Sequence, residues 1–391
     1  MSDTIQWTQA IAEQAIAWRR DLHRQPELSF QEFKTAQYVE DRLREFGHLE
    51  ISRPTQTSVV ARLIGKFPGK VLALRADMDA LPIQEETDYP YASEVDGVMH
   101  ACGHDGHTAI LLTAAQQLVQ HRDRIHGEVR FIFQHAEELP PGGARELVAA
   151  GVLEGVDWIV GEHLSSLLPL GQIGVGYGER AASPDNFTIT VKGSGGHAAA
   201  PHRAVDSIAI GAQIVTNLQH IVSRNTDPLE RLVVSVTQFT GGASHNVIPD
   251  SAVLRGTVRS FQEEQRQEAR KRLEQIVAGI TAAHGAQYEL DYLFGYAPVV
   301  NDEAVTRFVE DAAAELFGAE AVIEIPPGMG AEDFSAYQQA VPGAFIFIGA
   351  GNVEAGIVHP HHHPRFAFDE DALLIGARLF VGVTERLLFK D

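Results

Sequence analysis

Apolar residues recur at helical spacing over residues 5–24 and again over 31–47, where Gly47 closes the pattern. Two β-rich runs follow, SVVARLIG at 58–65 and VLALRAD at 71–77, the second ending in a loop with several acidic residues. A helix is expected to start near Asp105 and to run through TAILLTAAQQLVQ, immediately after Cys102 and His104. The run EVRFIFQ (128–134) stops at the loop HAEELPPGG, and DWIVGEH (157–163) stops at His163. Strands alternating with helices predict an α/β sheet with parallel strands.

The pattern changes between about 183 and 296. It reads strand NFTITVKG, helix 204–223, strands RLVVSVTQFTG and AVLRGTVRS, helix 262–284 and strand QYELDYLF, which is the β-α-β-β-α-β order of a ferredoxin-like fold. The first pattern then resumes with helix 301–317, a strand near 321–325, strand AFIFIGA (344–350) and helix 369–388. The expected architecture is a discontinuous α/β domain with a mixed sheet, residues 1–182 and 297–391, carrying an inserted ferredoxin-like α+β domain at 183–296.

Composition narrows the class. The chain has 391 residues, 45% of them hydrophobic, ample for a globular core. Its 31 Lys and Arg against 52 Asp and Glu leave a net charge of −21, spread along the chain, which argues against a nucleic-acid partner. A single cysteine permits no intrachain disulfide and favours a reducing compartment. Neither a signal-peptide pattern nor an apolar run long enough to span a bilayer is visible, so a soluble cytoplasmic protein is expected, with no membrane partner.

The lone Cys102 sits two residues before His104, and the question is what partners the chain supplies for them. The suspicious loops share one position, each following a strand-like run, and ligand sites in α/β sheets gather at the carboxyl ends of strands. Glu137 and Glu138 follow RFIFQ, His163 follows WIVGE, and HPHHHP (359–364) follows AFIFIGAG. Singly, each has a bland reading: adjacent glutamates are usually solvated, and His163 could be a satisfied core residue. Together, thiolate, imidazole and carboxylate suit a borderline divalent cation, with Cys102, His104, one of the two glutamates, His163 and one histidine of 359–363 as the set. Neighbouring residues of an irregular loop point differently, so one glutamate can bind metal while the other takes a proton from water that the cation acidifies.

The motifs RADMDALP, HACGHDGH, FIFQHAEE, GHAAAPH, HNVIPDSAVLRGTVR, GAEDF and HHPRF resemble, in order and over nearly the whole chain, the metallopeptidases that include aminoacylases and dimeric carboxypeptidases. More narrowly they resemble the amidohydrolase branch, with hippurate hydrolases, N-acyl-amino-acid amidohydrolases and auxin-conjugate hydrolases. The resemblance implies that Cys102, His104, Glu138, His163 and His362 are metal ligands and that Glu137 is the general base. His362 is chosen as the histidine two before the proline of HHPRF; His359, His361 and His363 receive no role. The resemblance also implies a pair of divalent metals per subunit. The inserted domain would form a lid and a homodimer or higher homo-oligomer. From it, His197 would reach a neighbouring active site to stabilise an oxyanion, and Asn246 and Arg259 would hold the substrate, Arg259 through its planar fork. Arg255 competes, because residues 255 and 259 share one face of a strand.

Three departures qualify the carry-over. Arg75 stands in RAD where many relatives of the wider family have His, with Asp77 kept; the branch lacks the wider family's bridging aspartate; and His135 replaces a commoner proline before the glutamates. Manganese, zinc, nickel and cobalt therefore all remain open. The expected activity is metal-dependent cleavage of the amide of an N-acyl amino acid, acetyl, benzoyl or similar, to a carboxylic acid and an amino acid. Alternatives are deacetylation of an N-acetyl diamino acid, dipeptide cleavage, and a non-catalytic metal-binding protein.

Overall fold

The computed structural model describes residues 5–389. It divides into two compact units: the chain up to Arg180 together with Val300–Pro327 and the chain from Asp333 onward, and Ala181–Val299 together with Gly328–Glu332. In chain order the principal elements of the first unit are α1 (Gln9–Arg24), α2 (Phe33–Phe46), β1 (Glu50–Ser52), β2 (Val59–Ile64), β3 (Phe67–Asp77), α3 (His104–Gln120), β4 (His126–Gln134), β5 (Trp158–Pro169) and β6 (Ile173–Val175). The second unit supplies β7 (Ser183–Lys192), α4 (Ser207–His220), β8 (Leu232–Gly241), β9 (Ser251–Ser260), α5 (Glu263–Ala283) and β10 (Gln287–Leu293). The first unit then resumes with α6 (Glu303–Phe317), β11 (Val322–Glu324), β12 (Gly343–Gly351) and α7 (Asp371–Leu388).

The large sheet has the order β1-β2-β4-β3-β5-β12-β6-β11. Its centre, β4-β3-β5-β12, is parallel, whereas β1, β2 and β6 make antiparallel pairs, so the sheet is mixed. The central strands are near-continuous apolar runs. Leu72, Leu74, Phe131, Phe133, Val160, Ile346 and Ile348 are fully buried, each contributing roughly 1.5–3 kcal/mol. Helix α3 is buried at nearly every residue and packs on α1, α2, α7 and β3. It comes close to β5 because Gly106 has no side chain: a Cβ there would lie 2.5 Å from Leu164 Cδ1 and 2.7 Å from Phe368 Cζ.

Boundaries differ from the expected ones in several places, three of which are instructive. Helix α1 begins at Gln9, four residues later than its apolar pattern, with extended backbone at Thr8. Helix α4 begins at Ser207 because the Asp206 carboxylate accepts from the N–H groups of Ile208 (3.0 Å) and Ala209 (3.1 Å), a side-chain cap. Strand β5 does not stop at His163 but continues to Pro169, since β12 runs on beside it to Gly351.

In the second unit, β8-β9-β7-β10 form one antiparallel sheet with α4 and α5 packed over Phe187, Ile189, Val191, Leu254 and Val258. Its polar anchor is Asp185, fully buried, which accepts from Arg266 Nε (2.8 Å), Tyr292 Oη (2.9 Å) and Gly295 N (3.0 Å). Asp185→Ala should destabilise the protein by about 3–5 kcal/mol, because it strands a buried guanidinium. A urea unfolding midpoint equal to wild type would refute this. Among the described residues, no helix is long and apolar enough to cross a membrane.

Candidate metal centre

The ends of β3 and β4 and the start of α3 bring a buried polar network together. Arg75 donates to Gln134 Oε1 (2.8 Å), Asp77 Oδ2 (2.7 Å) and Asp333 Oδ1 (3.1 Å), so its guanidinium is committed to carboxylates and an amide. The other oxygen of Asp77 meets His107 Nδ1 at 2.6 Å. Because Nε2 of His107 accepts from the N–H of Leu164 (2.9 Å), both nitrogens of that ring are spent and His107 is structural.

Asp79, two residues beyond the strand, is the organising carboxylate. Its Oδ1 lies 3.2 Å from His104 Nδ1 and accepts from Glu137 N at 3.0 Å. Its Oδ2 accepts from Glu138 N at 3.0 Å and Ser29 Oγ at 2.6 Å. With Nδ1 of His104 also 2.9 Å from the carbonyl of Asp79, the proton sits on Nδ1 and Nε2 is turned outward as an acceptor. The helix can start there because Gly103 adopts φ 94°, a left-handed turn that suits glycine.

Around these groups the first unit brings together Cys102, His104, Glu138, His163, His361 and His362. Cys102 Sγ lies 3.5 Å from His163 Nε2, and His163 Nδ1 donates to the carbonyl of Leu164 at 2.7 Å, leaving Nε2 as its acceptor. Two ligand-sized groups share the sulfur: Cys102 with His163 and His361, and Cys102 with His104 and Glu138, their donor atoms within 4.8 Å of one another. His104 Nε2 and His361 Nδ1 are buried without a hydrogen-bond partner among the described residues, the state of ligand atoms aimed at a cation. His362, half exposed and at φ 66°, places its Nε2 3.2 Å from Glu138 Oε1.

The electrostatics ask for positive charge. Burial, followed by Glu138, Glu137 and Asp77, pushes the Cys102 thiol well up. Burial, then the neighbouring His107 and His361 rings, holds His163 well down, and burial brings His361 to about 3, so both are neutral imidazoles able to ligate. Burial opposes protonation of His104 too, yet Asp77, Asp79 and Glu138 raise it to about 10, so these carboxylates favour positive charge at its Nε2, and a cation binding there would take the place of a proton. Mixed sulfur, nitrogen and oxygen donors at this spacing fit a borderline divalent ion.

Glu137 is buried beside Glu138 but belongs to neither of the two groups that share Cys102. His135 faces away from it: Nε2 is 3.0 Å from Glu146 Oε2, and the ring lies edge-on to Phe30. In the second unit His197 pairs with Val247 in a short ribbon, next to Asn246. The exposed His197 ring accepts from Ala199 N at Nδ1 (3.0 Å), which puts its proton on Nε2. Asn246 Oδ1 accepts from Ser244 Oγ at 2.6 Å. Arg259 lies on the face of β9 away from α4 and α5 and donates to Thr257 Oγ1 and to the carbonyl of Val258 at 3.3 Å. Sequence reasoning missed Asp79 and His361. The first was visible only as the second carboxylate of DMD, and the second was masked by its histidine neighbours.

A model of peptidase family M20/M25/M40 matches residues 73–386. The chain is similar to an N-acyl-L-amino acid amidohydrolase of Geobacillus stearothermophilus, 61% identical over 293 residues, covering 75% of this chain and 79% of the relative. It is 46% identical to an N-acetylcysteine deacetylase of Bacillus subtilis over 368 residues, covering 93% and 94% of the two chains. Among solved structures, a dinuclear metal binding peptidase of Bacillus subtilis superposes with a TM-score of 0.84 at 40% identity, covering 96% of this chain and 98% of that one.

Proposed function

The chain belongs to peptidase family M20/M25/M40, and from that membership we infer that it is a metal-dependent amidohydrolase. It cleaves the amide bond of N-acyl amino acids, releasing a carboxylic acid and a free amino acid. The observation that carries this reading is the second carboxylate: Glu138 lies with Cys102 and His104, while the adjacent buried Glu137 lies outside both groups that share the sulfur. A storage site needs ligands but no base beside them.

We assign Cys102, His104, Glu138, His163 and His362 as ligands, His362 on the Glu138 side, with His361 joining Cys102 and His163. A pair of divalent ions, drawn from manganese, zinc, nickel or cobalt, is supported by two groups sharing one sulfur and by the dinuclear relative. When bound, such ions polarise an acyl carbonyl and acidify water. Glu137 takes the proton of the attacking water and returns it to the leaving amine nitrogen. His197, with its proton on exposed Nε2, donates to the oxyanion from a partner copy in a homo-oligomer. Arg259, with Asn246, grips the substrate carboxylate. The name of the N-acetylcysteine deacetylase relative supports an acetyl group, and a cytoplasmic setting suits a lone cysteine used as a ligand.

The test is amine release from N-acetyl, N-benzoyl and N-indoleacetyl amino acids and a few dipeptides, after chelation and after return of each metal. We expect chelation to abolish release and one metal to restore it, with an N-acyl amino acid the best substrate. Absence of release under every metal would overturn the reading.

A further inference from the structure

Glu32 is fully buried at the start of α2, yet its side chain does not cap that helix. Its Oε1 instead accepts from the N–H of Phe30 at 3.0 Å and from the N–H of Ala136 at 2.7 Å, a residue 104 positions later. Both donors are non-glycine residues at positive φ, 65° for Phe30 and 49° for Ala136, a conformation that persists only where surrounding contacts impose it. Ala136 is the residue directly before Glu137. Three successive N–H groups are thus each taken by a buried carboxylate: Ala136 by Glu32, and Glu137 and Glu138 by the two oxygens of Asp79. Asp79 also touches His104, whereas Glu32 meets this segment at the backbone N–H of Ala136.

Burying a carboxyl group is unfavourable, and an apolar side chain would fill the same space without that penalty. Burial, and then the Asp79 carboxylate, pushes Glu32 up to about 7, so the surroundings disfavour its charged form. What an apolar residue could not do is hold the Ala136 N–H. Without that acceptor the left-handed turn at Ala136 keeps only the bond from Gly143 N to its carbonyl (2.9 Å), and the direction in which Glu137 leaves the backbone is set less firmly against that of Glu138.

We propose that Glu32 is a positioning residue for the general base, its carboxyl oxygen fixing the turn at Ala136 that aims Glu137 apart from Glu138. The proposal rests on the reading of Glu137 as that base. Two variants of the full-length protein separate its parts. Glu32→Gln keeps an acceptor oxygen and removes the charge, whereas Glu32→Leu keeps the volume and removes the acceptor; Glu32→Ala serves if the leucine variant does not fold. Each is measured for kcat, KM and metal content with the best substrate, and for amide hydrogen exchange over residues 134–139.

The expected result is a kcat lowered about 10- to 100-fold in Glu32→Leu, with KM and metal content within about twofold of wild type. Exchange at 136–138 should be faster and exchange in α3 unchanged. Glu32→Gln should restore kcat to within about threefold of wild type. A role in stability alone would lower the melting temperature without this kcat-only loss and its rescue by glutamine. Wild-type kcat and wild-type exchange in a folded Glu32→Leu protein would overturn the proposal, as would a glutamine variant as impaired as the leucine one. Because exchange needs no turnover, faster exchange in a protein without amidohydrolase activity would support the clamp while defeating the assignment of Glu137 as base.

Discussion

Glu137→Gln should lower kcat by about 10²- to 10⁴-fold, the range that a positioned general acid–base group supplies, while metal content stays at the wild-type level. The two halves of this expectation come from different observations. Retention of metal follows because Glu137 is absent from both ligand-sized groups that contain Cys102. Loss of turnover follows because the glutamine keeps the size of the side chain, and the backbone N–H held by Asp79 is untouched, but the amide cannot take a proton from water. KM should change little, since the carboxylate is assigned to the water and not to the substrate. The checks are metal analysis of the dialysed protein beside steady-state kinetics. A variant that keeps most of its kcat would remove Glu137 from the reaction. One that loses metal in step with activity would make it a ligand instead.

The contrast between Glu137 and Glu138 also marks what was legible in the sequence. The pair, and its place after an apolar strand, could be read from RFIFQHAEE, because strand β4 and the loop after it are local features. The start of α3 beside Cys102 and His104 was legible for the same reason. The devices that set the two glutamates apart were not. Asp79 and Glu32 act on residues 137, 138 and 136 across long sequence separations, through backbone N–H groups that carry no sequence signature. His163 was expected at a strand end, whereas it lies inside β5. The extension from Leu164 to Pro169 exists because β12, far along the chain, continues beside it, and no local periodicity announces a partner strand. Among the histidines of 359–363 the ambiguity was chemical. Identical side chains one residue apart are told apart only by which neighbours they meet, His361 meeting Cys102 and His163 and His362 meeting Glu138.

Cys102→Ser should remove metal and activity together, the reverse of the separation expected for Glu137→Gln. The reason is the position of the sulfur, which is common to both ligand-sized groups, so that a single replacement weakens both. A serine hydroxyl is a harder donor and stays protonated near neutral pH, whereas a thiol gives up its proton to a coordinated cation. That exchange matters here because burial and the carboxylates of Glu138, Glu137 and Asp77 all oppose negative charge on residue 102. Only a cation held at the same place can offset them, and the serine offers it less in return. The loss of metal affinity should exceed the roughly 10- to 100-fold produced by replacing an outer partner of a ligand. It should appear as depleted metal after dialysis and as turnover recovered only in part when metal is added in excess. Partial recovery with excess metal would place the defect in binding and leave the base intact. Full metal and full activity in Cys102→Ser would exclude the thiolate from the centre and return the only cysteine of the chain to an ordinary buried side chain.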